Sequence, residues 1–264
     1  MFALFCAVLL LSAPSRVFPQ FAPLAVSGWD FDGDFDGDFI DVKFLPFSWD
    51  FASHEDRDAR EALLQIMFRK DIVRNISPLK LSAGVTFTMQ AWWQIFSPSV
   101  PFRDTNYAPE FYITLPFGEA DEPDRFFQGV NISWAHRSNG RDGPFSRAWD
   151  RFCFALPLSI KGVQLYPRVW YTVVKNDTHA DMVNYLGLFD FTAVYRYNKH
   201  MFALYTRTNV DFGDFKGALQ GSYSYPLFGS KFFLYLYYFS GYGESLIDVT
   251  IPVNKLGVGV VLNW

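Results

Sequence analysis

The sequence has almost no cysteine, no block of basic residues and no long apolar run past its first residues. Cys6 and Cys153 are the only cysteines, so their number excludes a zinc site built on cysteine. Twenty-three basic and 27 acidic residues give a net charge of −4 with no basic cluster, which argues against a nucleic-acid partner. After the N-terminal dozen, no stretch reaches the roughly 18 apolar residues that a spanning helix needs. If the protein lies in a membrane, it must cross with strands.

Aromatic residues, by contrast, are abundant. Phe, Tyr and Trp make up 20% of the 264 residues, and Phe alone occurs 30 times. A soluble domain rarely contains so many rings, whereas a membrane barrel needs them for the aromatic girdles at both interfaces. The length suits one domain or one barrel.

The N-terminal residues 1–15 are expected to be a cleaved signal peptide. Residues 1–12 are apolar, and Ala13 and Ser15 are small residues at a plausible cleavage site, although no Lys or Arg precedes the apolar run. We expect residues 16–41 to form a periplasmic segment. Its repeat DFDGDFDGDF at 30–39 lacks the Glu that an EF-hand requires at its twelfth position, so a solvated segment is the favoured interpretation.

Residues 42–264 are expected to form a barrel in the membrane. At the C-terminus Leu256, Val258, Val260, Leu262 and Trp264 alternate with small or polar residues, which is typical of a strand with one apolar face. Aromatic and β-branched stretches between turn-forming residues predict twelve strands. These are 42–53, 61–70, 81–96, 107–116, 128–138, 147–158, 163–175, 183–197, 200–211, 215–225, 230–242 and 254–264. An even number fits a closed antiparallel transmembrane β-barrel.

Reactive side chains concentrate between residues 130 and 156. In a strand, His136 and Ser138 share the face that carries Trp134, and Asp150 shares the apolar face of the next predicted strand. If residues 139–147 turn the chain into a hairpin, all three side chains point outward to lipid, and Asp150 can lie beside His136. Serine, histidine and a carboxylate together form an activated nucleophile. A lone His or Ser is more often structural, so their coincidence on one face carries the hypothesis.

The same stretch resembles a known family. Residues 136–141 (HRSNGR) and 146–151 (SRAWDR) are similar to the active-site motif of the bacterial outer membrane phospholipase A family. The segments 92–94 (WWQ), 101–107 (PFRDTNY) and 240–248 (SGYGESLID) extend the resemblance, which covers roughly residues 42–264.

The resemblance implies a twelve-stranded outer-membrane barrel that hydrolyses the acyl esters of phospholipids, with A1, A2 and lysophospholipase activity. It implies that Ser138 is the nucleophile and His136 the base. Asp150 stands at the position of the third triad member, and the backbone N–H of Gly140 matches an oxyanion donor.

The resemblance also implies that the enzyme needs Ca²⁺ and is active as a homodimer. The calcium ligands match the carbonyl of Arg141 and the hydroxyl of Ser146, with Ser99 supplied by the second subunit. A calcium-bound water would complete the oxyanion hole.

The chain departs from the family pattern at two positions. Asp150 stands where the family usually has Asn, which puts a formal charge near lipid. Met89 stands where the family often has a Gln that hydrogen-bonds across the dimer.

Two other interpretations are open from the sequence. A non-enzymatic barrel, either a pore or an inactive relative, would suit the lumen-facing Arg137 and Arg151, although such charges also plug small barrels. A pore gives no reason for His136 and Ser138 to face lipid. A soluble β-sandwich hydrolase conflicts with the aromatic excess and with the alternation of the last strand.

Overall fold

A computed structural model describes residues 39–52, 58–117, 125–173, 180–211, 213–227 and 231–263. The predicted signal peptide and nearly all of the segment 16–41, with most of its Asp-Gly repeat, lie outside the described residues. Trp264 also lies outside them.

Antiparallel strands make up most of the described chain. They are β1 (Phe39–Asp50), β2 (Arg60–Ile76), β3 (Leu81–Trp93), β4 (Phe102–Pro116), β5 (Gly129–Ser138), β6 (Ala148–Ala155), β7 (Leu158–Ile160), β8 (Val163–Val173), β9 (Phe189–Tyr197), β10 (His200–Thr208), β11 (Gly217–Pro226), β12 (Phe232–Gly241) and β13 (Val253–Asn263). The described helical segments are a 3-10 turn at Gly143–Phe145 and the helix α1 (Ala180–Leu186).

The strands close into a barrel with twelve wall strands. Except that β6 and β7 both pair with β8 and not with each other, each strand pairs with its neighbours in sequence, and β1 pairs with β13 to complete the ring. The short strand β7 continues the line of β6, because both pair with β8. Pro157, which has no N–H to give to the ladder, lies in the break between them. Counting β6 and β7 as one interrupted strand, the prediction of twelve antiparallel strands is confirmed.

One predicted strand is wrong in its first part. The stretch 183–197 was expected to be extended throughout, but its start belongs to α1, and β9 begins at Phe189. Met182 and Leu186 are four residues apart and are both buried against the cluster that contains Trp149 and Trp170. That spacing suits one face of a helix, and Gly187 at φ +76° ends it with its N–H bonded to the carbonyl of Val183. The first strand also begins three residues before the expected boundary at 42.

The outer surface of the barrel is apolar. In β13, Leu256 and Val258 are exposed whereas Lys255 and Val261 are buried, as the alternation predicts. Exposed apolar side chains occur on strands around the ring, including Ile40, Phe68, Phe111, Ile132, Phe154, Val169, Phe202 and Leu236. Such an outer band is typical of a barrel that contacts lipid. No helix within the described ranges is long and apolar enough to cross a bilayer.

The lumen is filled by paired charges. Glu61 on β2 accepts hydrogen bonds from Arg103 at 2.9 Å and from Lys255, and Lys255 also contacts Glu244. Arg103 additionally donates to Ser245 at 2.9 Å. The segment after β12 and the helix α1 therefore pack inside the ring, which leaves a plugged interior and not the open channel of a pore.

Candidate active site

The β5–β6 hairpin brings His136 and Asp150 together on the outer wall. The strand register pairs these two residues directly, and it pairs Ser138 with Ala148. His136 Nδ1 lies 2.9 Å from Asp150 Oδ1. Their side chains are 28% and 15% exposed, whereas the alternate residues Ala135 and Trp149 are buried on the lumen side. The geometry therefore has the outward orientation and the His–Asp contact that the alternation predicted.

The contact with Asp150 determines what the imidazole can do. The carboxylate accepts at Nδ1, so the proton of the neutral ring lies there and Nε2 keeps its lone pair. Ser138 follows two residues later on the same face of β5. Between its hydroxyl and the imidazole the described structure contains no hydrogen bond, which is common before substrate binds, since such bonds tighten in the Michaelis complex. The arrangement can activate a hydroxyl once Nε2 and Oγ meet.

Trp134 contributes an apolar floor beside the imidazole. Its ring stacks on His136 with centroids 6.2 Å apart and 22° between the planes, and the centroid of the Phe111 ring lies 5.8 Å from that of Trp134. A cavity of about 420 Å³ in the wall is lined by Trp134, Phe111 and the exposed Phe152. The sequence placed Trp134 on the correct face but assigned it no role. Its spacing of two from His136 was the available signal.

Asn139 organises the loop that follows β5. Its side-chain amide donates to the carbonyl of Phe145 at 2.9 Å, and its Oδ1 accepts from the N–H of Arg147 at 2.9 Å and of Arg141 at 3.4 Å. Its own backbone N–H bonds to the carbonyl of Arg147 at 3.0 Å. The side chain thus links both ends of the loop. The sequence showed Asn139 only as part of a motif and a turn.

Gly140 has a backbone conformation that favours glycine. Its φ is +64°, and a Cβ added there would lie 3.1 Å from Cε2 of Tyr107. Within the described contacts its N–H donates no hydrogen bond. An N–H without a partner beside Ser138 is available for a developing oxyanion.

The oxygen atoms that the resemblance assigns to calcium are available in the loop. The Arg141 side chain turns away and donates to the carbonyl of Arg103 at 2.6 Å, while Arg147 donates to the carbonyls of Pro144 and Ser146, both at 2.8 Å. The carbonyl of Arg141 and the hydroxyl of Ser146 take part in no hydrogen bond among the described residues. Neutral carbonyl and hydroxyl oxygens are ligands that Ca²⁺ accepts.

Ser99 lies elsewhere, in the turn between β3 and β4. Its φ is +63°, and its side chain is exposed. The described residues contain no cluster of three or more His, Cys, Asp or Glu that could hold a metal. A site built from carbonyl and hydroxyl oxygens does not depend on such a cluster, so the residues present in the loop fit a calcium ion.

Comparison with known proteins agrees with this geometry. A family model described as phospholipase A1 matches residues 43–262. Phospholipase A1 of Escherichia coli K12 is 31% identical over 223 residues, which is 82% of this chain and 73% of the relative. Phospholipase A1 of Klebsiella pneumoniae is 30% identical, over 82% of this chain and 74% of the relative.

Solved structures agree as well. Outer membrane phospholipase A from E. coli superposes with a TM-score of 0.75 at 26% identity, covering 84% of this chain and 89% of that one. A Salmonella typhi outer membrane phospholipase dimer with bound calcium also has a TM-score of 0.75 at 26% identity, covering 84% and 90%. The chain therefore belongs to the phospholipase A1 family and is an outer-membrane phospholipase with the fold of a twelve-stranded transmembrane β-barrel.

Proposed function

We propose that this phospholipase cleaves acyl esters at a Ser138–His136–Asp150 triad that faces the lipid, in a calcium-dependent homodimer. The observation that carries the proposal is the 2.9 Å bond from His136 Nδ1 to Asp150 Oδ1 on the outer wall. An ionisable side chain that faces lipid near the midplane destabilises the folded barrel. The free-energy cost is about 2–4 kcal/mol for Arg or Lys and less for Asp or Glu. A hydrogen-bonded His–Asp pair next to a serine therefore suggests a function at that surface.

The proposed chemistry follows from the atoms available. Ser138 Oγ attacks the ester carbonyl while His136 Nε2 takes its proton, and Asp150 stabilises the imidazolium that forms. The Gly140 N–H donates to the oxyanion. On collapse His136 returns the proton to the leaving glycerol oxygen, releasing lysophospholipid. Water, deprotonated by His136, then hydrolyses the acyl-serine, which releases the fatty acid and regenerates the hydroxyl.

The carbonyl of Arg141 and the hydroxyl of Ser146 would hold the calcium ion, together with Ser99 of the second subunit. When bound, the ion supplies positive charge that stabilises the developing oxyanion. Ser99 lies in the turn between β3 and β4, apart from the loop that carries the other two residues, and we propose that Ser99 of the second subunit completes the ligand set, as the family resemblance implies. The dimer with bound calcium seen for the Salmonella typhi relative supports this proposal.

The apolar surroundings favour a broad acyl specificity. Trp134 stacks on His136, and Phe111 and Phe152 line the cavity beside Trp134. These three side chains can contact an acyl chain but offer no charged group to select a head group. We therefore propose A1, A2 and lysophospholipase activity at the same serine.

Hydrolysis in mixed micelles tests the triad. We expect Ser138→Ala to lower turnover at least about 10³-fold, because the nucleophile is lost. Ser133→Ala is the matched control, since Ser133 lies in the same strand but is buried on the lumen side. A phospholipid with different acyl chains at its two positions shows which esters are cleaved. Activity near that of the wild type in Ser138→Ala would rule out the nucleophile.

A chelator tests the metal separately. We expect EDTA to abolish turnover of the wild type and added Ca²⁺ to restore it. Full activity in EDTA would contradict the calcium proposal and leave the triad in place.

A further inference from the structure

The lumen contains a cavity of about 60 Å³ behind the active-site strands. Four guanidinium groups line it, from Arg137, Arg151, Arg168 and Arg207. Arg137 lies between His136 and Ser138 in β5, and Arg151 follows Asp150 in β6. The cavity and the candidate active site therefore lie on opposite faces of the same two strands.

The cations that line the cavity outnumber the nearby carboxylates. Arg168 pairs with Asp190 through Nε–Oδ1 and NH2–Oδ2 contacts of 3.2 and 2.6 Å, and Glu110 is the carboxylate in the lining itself. Asp104 is a third buried carboxylate and lies near Arg137, so four guanidinium groups against three carboxylates leave a net charge of +1 around the space. An excess of buried positive charge is unfavourable without a compensating anion.

The remaining arginines bind mostly neutral oxygens. Arg137 donates to Asn106 Oδ1 at 2.8 Å and to the carbonyl of Glu244 at 3.2 Å. Arg207 donates to the carbonyls of Tyr185 at 3.3 Å and Gly243 at 3.0 Å. These contacts hold the guanidinium groups in place without neutralising them.

Arg151 has neither an ion pair nor a hydrogen bond in the part of the chain that the structure describes. Its guanidinium lies over the rings of Trp149 and Trp170, with distances to the centroids of 4.1 and 5.3 Å. Stacking on the rings orients the group but leaves its N–H donors unused. It is held as a preformed donor at the cavity wall.

The buried polar atoms of the cavity lining that have no hydrogen-bond partner among the described residues are all donors. They are Nε of Arg137, Nε of Arg151, Nε1 of Trp149 and Nε2 of Gln90. Trp149 and Gln90 are only 5% and 4% exposed. Buried N–H groups need acceptors, and charged acceptors form the stronger bonds. Water offers acceptors too, but it does not offset the charge.

We propose that this cavity binds a small inorganic anion between Arg137, Arg151 and Trp149. At roughly 15 Å³ for each water, the space holds about four waters, which suits a halide or one phosphate and excludes a lipid head group. The anion would connect β5 and β6 from the lumen side, behind His136 and Asp150.

Unfolding in detergent micelles tests the site with three sodium salts at equal ionic strength. Chloride and phosphate are the two probes, and gluconate is too large for the cavity. We expect a saturable rise of the unfolding midpoint in chloride, in phosphate or in both, relative to gluconate. An anion at ten times its Kd raises the folded-to-unfolded ratio about elevenfold. The two probes distinguish a halide from a phosphate site.

Two variants locate the effect. Arg151→Gln removes the unpaired cation and should lose the specific anion response. Lys43→Gln is the matched control, because Lys43 is a lumen cation outside the cavity, 3.3 Å from Asp41, and it should keep the response. No advantage of either probe over gluconate in the wild type, or an unchanged response in Arg151→Gln, would overturn the proposal.

Wild-type crystals give a readout that does not depend on any variant folding. Crystals grown in bromide should show an anomalous peak within hydrogen-bonding distance of Arg151, or crystals grown in phosphate should show tetrahedral density there. Water alone in the cavity under both conditions would overturn the proposal.

Discussion

Position 150 carries a carboxylate at the boundary with lipid. Its Oδ1 accepts from His136 Nδ1, and the side chain is only 15% exposed. A carboxylate and an amide oxygen can both accept that N–H, so the orientation of the ring does not require the charge. The charge adds attraction to the imidazolium that forms during turnover.

We expect Asp150→Asn to retain turnover within about tenfold of the wild type, because a neutral acceptor replaces a charge-assisted one, a difference of about 1 kcal/mol. Asp150→Ala, which removes the acceptor, should lose far more. Ester hydrolysis in mixed micelles measures both. Less than about 1% residual activity in Asp150→Asn would show that the carboxylate itself is essential, as losing an orienting acid costs up to about 10⁴-fold elsewhere.

Gly140 combines a left-handed backbone with a close aromatic neighbour. We expect Gly140→Ala to lower kcat, because its Cβ disfavours φ +64° by about 1–2 kcal/mol and meets Tyr107 at 3.1 Å. Either effect moves the N–H proposed for the oxyanion. Gly162→Ala is the control, since Gly162 also has a positive φ of +78° but its Cβ would meet nothing. Equal kcat values for both variants would remove Gly140 from the mechanism.

At the scale of elements, the β5–β6 hairpin holds the proposed triad on its strands and the proposed calcium ligands in its loop. Asn139 is buried and links the two ends of this loop through its side chain. The strands themselves are held by the ladder and do not depend on Asn139. The loop is therefore the weaker part of the site.

We expect Asn139→Ala to raise the Ca²⁺ concentration for half-maximal activity, because losing buried hydrogen bonds destabilises the ordered loop by about 1–3 kcal/mol. The barrel should keep its unfolding midpoint within a few degrees. A calcium titration of hydrolysis measures the effect.

Asn209 provides the control for this experiment. It organises the loop between β10 and β11 in a similar way, donating to the carbonyl of Asp214 at 2.8 Å and accepting from the N–H of Lys216 at 3.1 Å. Asn209→Ala should leave the calcium titration unchanged. The same shift in both variants would mean that the effect comes from general loosening of the barrel.

At the scale of the molecule, the proposed dimer would form through the outer wall of the barrel. Met89 lies in the middle of β3, half-buried on the face opposite the buried Gln90. It therefore points toward lipid or toward a second subunit. Its thioether cannot replace the amide hydrogen bond that the family resemblance places at this position.

We expect Met89→Gln to strengthen the calcium-loaded dimer by about 0.6–2 kcal/mol per hydrogen bond formed within the membrane. Sedimentation equilibrium in detergent measures the dissociation constant. Val258→Gln adds the same polar group to an exposed position of β13 and should not strengthen the dimer. An unchanged dissociation constant in Met89→Gln would mean that the dimer contact lies elsewhere on the barrel.

Much of the fold follows from local patterns. The period of two in β13 and β5 identified the outer faces, because strand alternation depends only on neighbouring residues. It also placed His136, Ser138 and Asp150 on the lipid side. The start of α1 was missed because a short apolar run suits a helix and a strand equally well, and its contacts with Trp149 and Trp170 are distant in sequence.

By itself the sequence determined which face each strand turns to lipid and which side chains can meet there, since these depend on spacing within one strand. Only the tertiary structure decided the register that opposes His136 to Asp150, and the organising role of Asn139. The tertiary structure also decided which lumen cations pair with a carboxylate. Lys255 pairs with Glu61, whereas Arg151 forms no ion pair among the residues that the structure describes. The contact between Lys255 and Glu61 joins strands that are far apart in the chain, so closure of the ring, and not local spacing, selects these partners.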